Sequence, residues 1–276
     1  MNTTFDRLLD EDSTFGDVTS ETIIPEELDA ESKVIAKEEG IVAGLNYLKD
    51  SVEKIGLKII LLKRDGESIK KGDTVAIIEG NARKLLLIER TFLNILGRMS
   101  GIATATKRLV DKVKDVNPNV RVAATRKTFL GKLDKVAVTI GGGDPHRWSL
   151  SDHILIKDNH IALVGLEEAI KRARRSSFVR KIEVEVEGVG DAVKAADLGA
   201  DIIMLDNFKP EQISEVVKLF EARGLRGKVL LEASGGINEW NIADYAESGV
   251  DVISIGALTH STRSLDFSID TTPKRI

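Results

Sequence analysis

The chain has 276 residues with 40 Lys and Arg against 44 Asp and Glu, a net charge of −4, no cysteine and four histidines. That length allows one large α/β domain or two smaller ones, and the acidic balance argues against a broad nucleic-acid-binding face. The absence of cysteine excludes disulfides, thiolate metal sites and a cysteine nucleophile, and no HxxxH or HxH spacing suggests a histidine metal site.

Residues 1 to 12 are polar and acidic, without a signal-peptide apolar core. No apolar run approaches the roughly 20 residues of a membrane span. These features predict a soluble cytoplasmic protein that uses no membrane.

Phe5–Leu9 reads as a short amphipathic helix. Lys33–Ala36 and Ile41–Ala43 read as strands joined in a hairpin through Glu38–Gly40. Leu45, Leu48, Val52 and Ile55 recur at helical spacing. Leu57–Lys63 and Thr74–Ile78 read as further strands of a meander. Between them, Gly66–Asp73 resembles the hairpin of biotinyl and lipoyl carrier domains, but a presented lysine with flanking apolar residues is not evident, so a structural hairpin is expected. Residues 82 to 113 are helix-rich, and Gly97–Gly101 predicts a kink or a break into two helices. Arg90 stands in the most apolar part of that segment.

From Val120 the texture changes. Short apolar strands (Val120–Ala124, Ile154–Ile156, Ile182–Val186, Ile202–Leu205, Val229–Leu231 and Val252–Ile255) alternate with helix-length segments near 165–175, 191–198, 210–223 and 238–248. This alternation predicts parallel βα units, in an open sheet or a barrel; without a GxGxxG after the first strand, a barrel is favoured.

Parallel strands place their carboxyl ends on one face, so the residues just beyond each strand converge. Arg126 and Lys127 come after the first strand and Lys157 after the second; Glu185 and Asp206 stand at the next two ends. Ser234–Gly235–Gly236 and Gly256–Ala257 come after the last two. Gly141–Gly142–Gly143–Asp144–Pro145–His146–Arg147 adds two more cationic side chains. Arg126, Arg147 and Lys157 suit carboxylates or phosphates. Glu185 and Asp206 suit sugar hydroxyls or a hard cation such as Mg²⁺. Glycine turns let backbone N–H groups approach an anion, and His260 offers a further donor. The residues alone predict an enzyme joining a phosphorylated sugar to an anionic partner.

At these residues the chain resembles the quinolinate phosphoribosyltransferase family. The resemblance runs over nearly the whole length: Gly16–Asp17–Val18–Thr19, Glu89–Arg90–Thr91, Ser100–Thr104, Thr125–Thr128, Gly141–Arg147, Ile156–His160, Glu183–Val186, Leu205–Asn207, Glu232–Gly236 and Gly256–Ser261. It implies an N-terminal α/β sandwich domain (1–104, rejoined by the tail 263–276) and an incomplete α/β, TIM-like barrel (105–262). It implies phosphoribosyl transfer from phosphoribosyl pyrophosphate (PRPP) to quinolinate with loss of CO2, giving nicotinate mononucleotide and pyrophosphate in NAD biosynthesis. Arg90, Arg126, Lys127, His146, Arg147 and Lys157 would bind quinolinate, Arg90 from the neighbouring subunit of a homodimer, with higher assembly open. Ser234, Gly235, Gly236, Gly256, Ala257 and His260 would hold phosphate. Lys127, Lys157, Glu185 and Asp206 would be catalytic, with the two acids near a Mg²⁺ that arrives with PRPP; no organic cofactor is implied.

Two departures touch the pocket wall: Leu130 stands where the family usually has proline, and Trp148–Ser149 comes directly after His146–Arg147. Rivals within the superfamily are a molybdate-transport-associated relative and nicotinate phosphoribosyltransferase. More distant are a Schiff-base lyase using Lys157 and a non-catalytic anion-binding protein.

Overall fold

The computed structural model describes residues 3–274. They form two compact units: one takes the chain up to Lys107, Phe129–Gly142 and everything from Thr262, and the other takes Arg108–Thr128 and Gly143–Ser261.

The first unit holds β1 (Asp29–Ala36), β2 (Gly40–Ile41), β3 (Lys58–Leu61), β4 (Ser68–Ile69) and β5 (Thr74–Asn81). Its main sheet is antiparallel, in the order Phe267–Pro273, β1, β5, β3. On β1, Ala30, Ser32, Val34 and Ala36 are buried in alternation, the period of a strand with one face on the core. The helix Leu45–Lys54 buries Leu45, Leu48 and Val52 as its spacing predicts.

The expected hairpin between β1 and β2 does not form. The chain leaves β1 because Ile41 N–H donates to Thr104 Oγ1 at 2.8 Å and Ala43 N–H to Ser100 Oγ at 3.0 Å, both on a helix. β2 pairs instead with β4, Gly40 opposite Ile69. Gly66–Asp73 therefore contributes a strand to that small ladder and is not a two-stranded hairpin presenting a lysine. Nor is the main sheet a simple meander, since β3 pairs with β5 at the far edge.

The expected break at Gly97–Gly101 is also absent: Ala82–Val116 is one helix of 35 residues. Its buried stripe runs through Ile88, Phe92, Ile95, Leu96, Met99, Ile102 and Ala103, so the core-facing period carries across the glycines. The glycines serve contact. A Cβ at Gly97 would sit 2.6 Å from the carbonyl oxygen of Leu265, and one at Gly101 would overlap the carbonyl of Arg263. Leu265 N–H donates to Gly97 O at 3.0 Å, so the returning tail lies directly on the helix backbone. Close by, buried Asp134 accepts from Arg98 at 2.9 and 3.1 Å and from the N–H groups of Phe129 and Leu130 at 3.0 and 3.3 Å.

The second unit is built on β6 (Arg121–Ala124), β7 (Ile154–Ile156), β8 (Ile182–Val186), β9 (Ile202–Asp206), β10 (Leu230–Ser234) and β11 (Val252–Ile255). All neighbouring pairs are parallel, in the order β6, β11, β10, β9, β8, β7. The first strand thus sits beside the last while β6 and β7 stay unpaired with each other. That is the cyclic order of a barrel with one seam left open, in line with the expected incomplete α/β barrel. Helices Leu166–Ser176, Val189–Asp197, Pro210–Ala222 and Ile242–Glu247 supply the crossovers near the predicted places. Val184, Ile203, Leu205, Leu231, Ala233 and Ile253 are fully buried. Among the described residues, no helix is long and apolar enough to cross a membrane.

Candidate active site

The six strands of the parallel sheet, or the residues just after them, send side chains into one cleft of about 410 Å³ at their carboxyl ends. Thr125, Arg126 and Lys127 come after β6, Lys157 comes after β7, Glu185 is on β8, Asp206 ends β9, Ser234 ends β10 and Ser254 is on β11. His146 and Arg147 enter because Gly143–Asp144 hooks onto β6: Asp144 N–H donates to Val122 O at 2.8 Å, and Ala124 N–H to Asp144 O at 3.1 Å. His146 then turns in with φ 56, its N–H held by Asp144 Oδ1 at 2.7 Å. A non-glycine residue keeps that left-handed backbone only where its surroundings fix it.

The cleft is lined by cations and acids together. Arg126 and Lys127 are exposed, while Arg147 is buried. Burial, and next the charge of Arg126, hold the Arg147 guanidinium below its ordinary range. Burial, and next the charge of Glu185, push Asp206 above the usual carboxylate range, against the pull of Lys157. Lys157 Nζ pairs with Glu185 Oε2, so one cation and one acid of the cleft touch. Asn207 Nδ2 donates to Asp206 Oδ2 at 2.7 Å, and Asn207 N–H to Ser234 O at 2.8 Å, tying the ends of β9 and β10.

The strand period builds a second layer beneath. Two positions before Lys157, Glu185, Asp206 and Ser234 stand Leu155, Glu183, Met204 and Glu232, on the same face. Glu183 and Glu232 are buried and meet at His146, whose Nε2 lies 3.4 Å from Glu183 Oε2 and 3.2 Å from Glu232 Oε2. His153 Nε2 is 2.6 Å from Glu183 Oε2, and Ser254 Oγ donates to Glu232 Oε1 at 2.5 Å. Burial alone would lower the His146 pKa, but its hydrogen bonds to Glu183 and Glu232 win and raise it to about 10. Burial would raise Glu183, but its bonds to the two histidines lower it to about 2. Glu232 goes the other way, pushed up by burial more than His146 pulls it down.

Contrary to what spacing in the chain suggested, His146, His153 and Glu183 do cluster, with ligand atoms within 4.8 Å of one another. The geometry still reads as hydrogen bonding. Ligands on one tetrahedral ion at about 2.0–2.1 Å would stand roughly 3.3 Å apart. His153 and Glu183 are 2.6 Å apart, the distance of a shared proton.

The other predicted residues lie elsewhere. Gly235 and Gly236 come after Ser234 with φ 95 and 64 but do not line the cleft, nor do Gly256, Ala257 and His260. A Cβ at Gly256 would be 3.1 Å from His260 Nε2 and 3.5 Å from Thr125 Oγ1, which puts that turn at the rim beside Thr125. Arg90 is exposed in the first unit and lines a different groove, with Leu93, Asn94 and Arg98. Sequence reading missed His153, Glu183, Glu232 and Ser254 as parts of the site. The signal for the two acids was there, two residues before Glu185 and Ser234.

An incomplete parallel barrel whose cleft gathers several cations and two acids at its strand ends is the arrangement of an enzyme acting on small anionic molecules. Models of the quinolinate phosphoribosyl transferase C-terminal and N-terminal domains match residues 102–270 and 17–100. The probable nicotinate-nucleotide pyrophosphorylase (carboxylating) of Methanocaldococcus jannaschii is 51% identical, over 95% of this chain and 94% of its own. The human nicotinate-nucleotide pyrophosphorylase (carboxylating) is 36% identical over 87% and 82%. The crystal structure of NadC from Streptococcus pyogenes superposes with a TM-score of 0.89 at 37% identity, covering 99% and 96% of the two chains. The chain belongs to the quinolinate phosphoribosyltransferase family.

Proposed function

We propose that the cleft makes nicotinate mononucleotide from quinolinate and PRPP, with its cations reading the pyridine dicarboxylate and its acids facing the ribose. The observation that carries this reading is the charge set of the cleft: Arg126, Lys127, His146, Arg147 and Lys157 line it together with Glu185 and Asp206. A monocarboxylate would leave most of these cations unanswered.

The ring nitrogen of quinolinate attacks C1′ of the ribose while the bond from C1′ to the pyrophosphate oxygen breaks. Positive charge grows on the ribosyl carbon, and Glu185 and Asp206 would stabilise it and hold the hydroxyls. Ser234, Gly235, Gly236, Gly256, Ala257 and His260 would bind the phosphates through backbone and side-chain donors. The C2 carboxylate then leaves as CO2; its bonding pair stays at C2, where the pyridinium stabilises it until a solvent proton arrives. The cations around the carboxylates position the substrate, and Lys127 and Lys157 are the ones nearest the reacting ring in this reading. This order requires that quinolinate alone release no CO2, and labelled quinolinate without PRPP tests it.

Glu185 and Asp206 also fit a hard divalent cation. Both offer oxygen donors, and the like charge that raises Asp206 would be relieved by one. Mg²⁺ bound with PRPP would neutralise the departing pyrophosphate.

The decisive assay supplies quinolinate or nicotinate with PRPP and Mg²⁺ and measures mononucleotide and CO2. Product from nicotinate and none from quinolinate would reject the reading. We further infer a cytoplasmic homodimer in which Arg90, exposed on the long helix of the first unit, serves the neighbour's cleft. Mixing Arg90→Ala with Lys157→Ala chains should restore part of the activity. No recovery after verified subunit exchange would reject a shared site.

A further inference from the structure

The buried layer under the cleft is costly and unexplained by folding. Ser254, Glu232, His146, Glu183 and His153 form one continuous polar chain across the inside of the sheet, hydrogen-bonded at three links and joined between His146 and Glu183 by a 3.4 Å ion pair. Glu183 and Glu232 are 0% and 1% exposed. Desolvating two carboxylates is expensive, and apolar side chains of similar volume would fill the same space at equal or better stability. The chain therefore calls for a purpose beyond packing.

Its geometry has a direction. Both carboxylates approach the same nitrogen of His146, Nε2, so that nitrogen is committed to them as a donor. His146 lines the cleft, and its Nδ1 has no partner among the described residues. Glu183 Oε1 is buried with no hydrogen-bond partner, so its charge is answered only through the histidines on Oε2. Two acids on one nitrogen favour the ring that carries protons on both nitrogens, in agreement with the raised His146 pKa.

We propose that Glu183, Glu232, His153 and Ser254 are positioning residues that hold His146 as an imidazolium, leaving its Nδ1–H to bind one carboxylate of the substrate and so favouring a pyridine dicarboxylate over a monocarboxylate. This rests on the cleft being the quinolinate site. His153 steers through Glu183, and Ser254 orients Glu232 from the side away from the ring. His146 acts as a donor and a charge, and abstracts no proton.

The test uses the full-length enzyme and the variants Glu232→Gln, Ser254→Ala and His153→Gln. KM for quinolinate is measured at saturating PRPP, KM for PRPP at saturating quinolinate, and binding of quinolinate and of nicotinate by calorimetry. Glu232→Gln keeps the shape and removes the charge, so KM for quinolinate should rise about 10- to 100-fold, the range expected when a charge-assisted bond is weakened. Ser254→Ala and His153→Gln, each one bond further away, should give smaller increases, about 3- to 10-fold by the same reasoning. KM for PRPP and affinity for nicotinate should stay within about 2-fold in all three.

A uniform rise in both KM values, or a fall in kcat with quinolinate KM unchanged, overturns the proposal. Should Glu232→Gln fail to fold, the two milder variants decide it on the same readout. A wild-type enzyme that does not use quinolinate defeats the functional reading and this proposal together. An active wild type whose variants keep their quinolinate KM defeats this proposal alone.

Discussion

Replacing Lys157 with methionine removes the ammonium that pairs with Glu185 in the cleft while keeping most of its stem. That charge is spent on Glu185, and the lysine side chain is 41% exposed against 14% for the acid. An ion pair open to solvent on one side contributes only about 0–1 kcal/mol to folding, so the variant should remain native. The catalytic loss is larger. A hydrogen bond to an ionised carboxylate is worth about 1.5–3 kcal/mol, so kcat/KM for quinolinate should fall roughly 10- to 150-fold. A second effect separates this from a general weakening. Lys157 pulls the Asp206 pKa down against burial and Glu185, and without it Asp206 rises further. An acid with a higher pKa takes up its proton at higher pH, so the acidic limb of the kcat/KM profile should move to higher pH. The assay is kcat/KM for quinolinate across pH at saturating PRPP and Mg²⁺, with KM for PRPP measured alongside. If quinolinate KM and the acidic limb stay in place while PRPP KM alone rises, Lys157 serves the sugar side and the division of the cleft is wrong.

Gly101→Ala should destabilise the first unit by about 1–3 kcal/mol or more, because the overlap is with the backbone carbonyl of Arg263, and no rotamer can relieve it. An unchanged urea midpoint would contradict the close packing of the tail. Asp134→Ala takes an acceptor from Arg98 and from two N–H groups and should cost about 3–5 kcal/mol, read by the same denaturation. Stability should also depend on pH through His146. Its folded pKa is raised from 6.5 to about 10, so its contribution is complete below 6.5 and is lost as pH rises through about 10. Glu183, lowered from 4.5 to about 2, contributes above 4.5 and loses that contribution as pH falls through about 2. The stability gap between wild type and His146→Asn should therefore be greatest between these limits and shrink towards pH 10, from an upper bound of about 5 kcal/mol. A gap that widens with pH would show that His146 is buried neutral.

The parallel half of the fold was legible because βα alternation is a local pattern, and each strand end announces itself by a charge or a glycine. The cleft could be inferred from shared strand direction alone: Arg126, Lys157, Glu185 and Asp206 needed no distances. What the sequence hid depends on contacts made far along the chain. Gly97 and Gly101 read as helix breakers, yet the partner that requires them is the carbonyl backbone near Leu265. Ile41 reads as the second arm of a hairpin, yet the hydroxyl that takes its N–H belongs to Thr104. The four histidines have no metal-like spacing, yet His146 and His153 meet at Glu183 because a loop hooks onto β6. Charge at a strand end is visible in one sequence; the layer beneath is visible only once the period of two is applied to the acids.

The strand Phe267–Pro273 completes the antiparallel sheet by covering the free edge of β1, residue for residue from Ala30 opposite Pro273 to Ala36 opposite Phe267. On the ribosome, β1 and β5 emerge early, but their neighbour comes only after the whole barrel. At roughly 5–20 residues per second, the interval from Asn81 to Phe267 lasts on the order of 10–40 s. During that time β1 is an open strand edge with its hydrogen-bonding groups unanswered, the kind of surface on which nascent chains associate. Lys33 and Glu31 point away from the buried face of β1 and give that edge some charge while it waits. The barrel can finish first, and the sheet is then closed by a strand made after it.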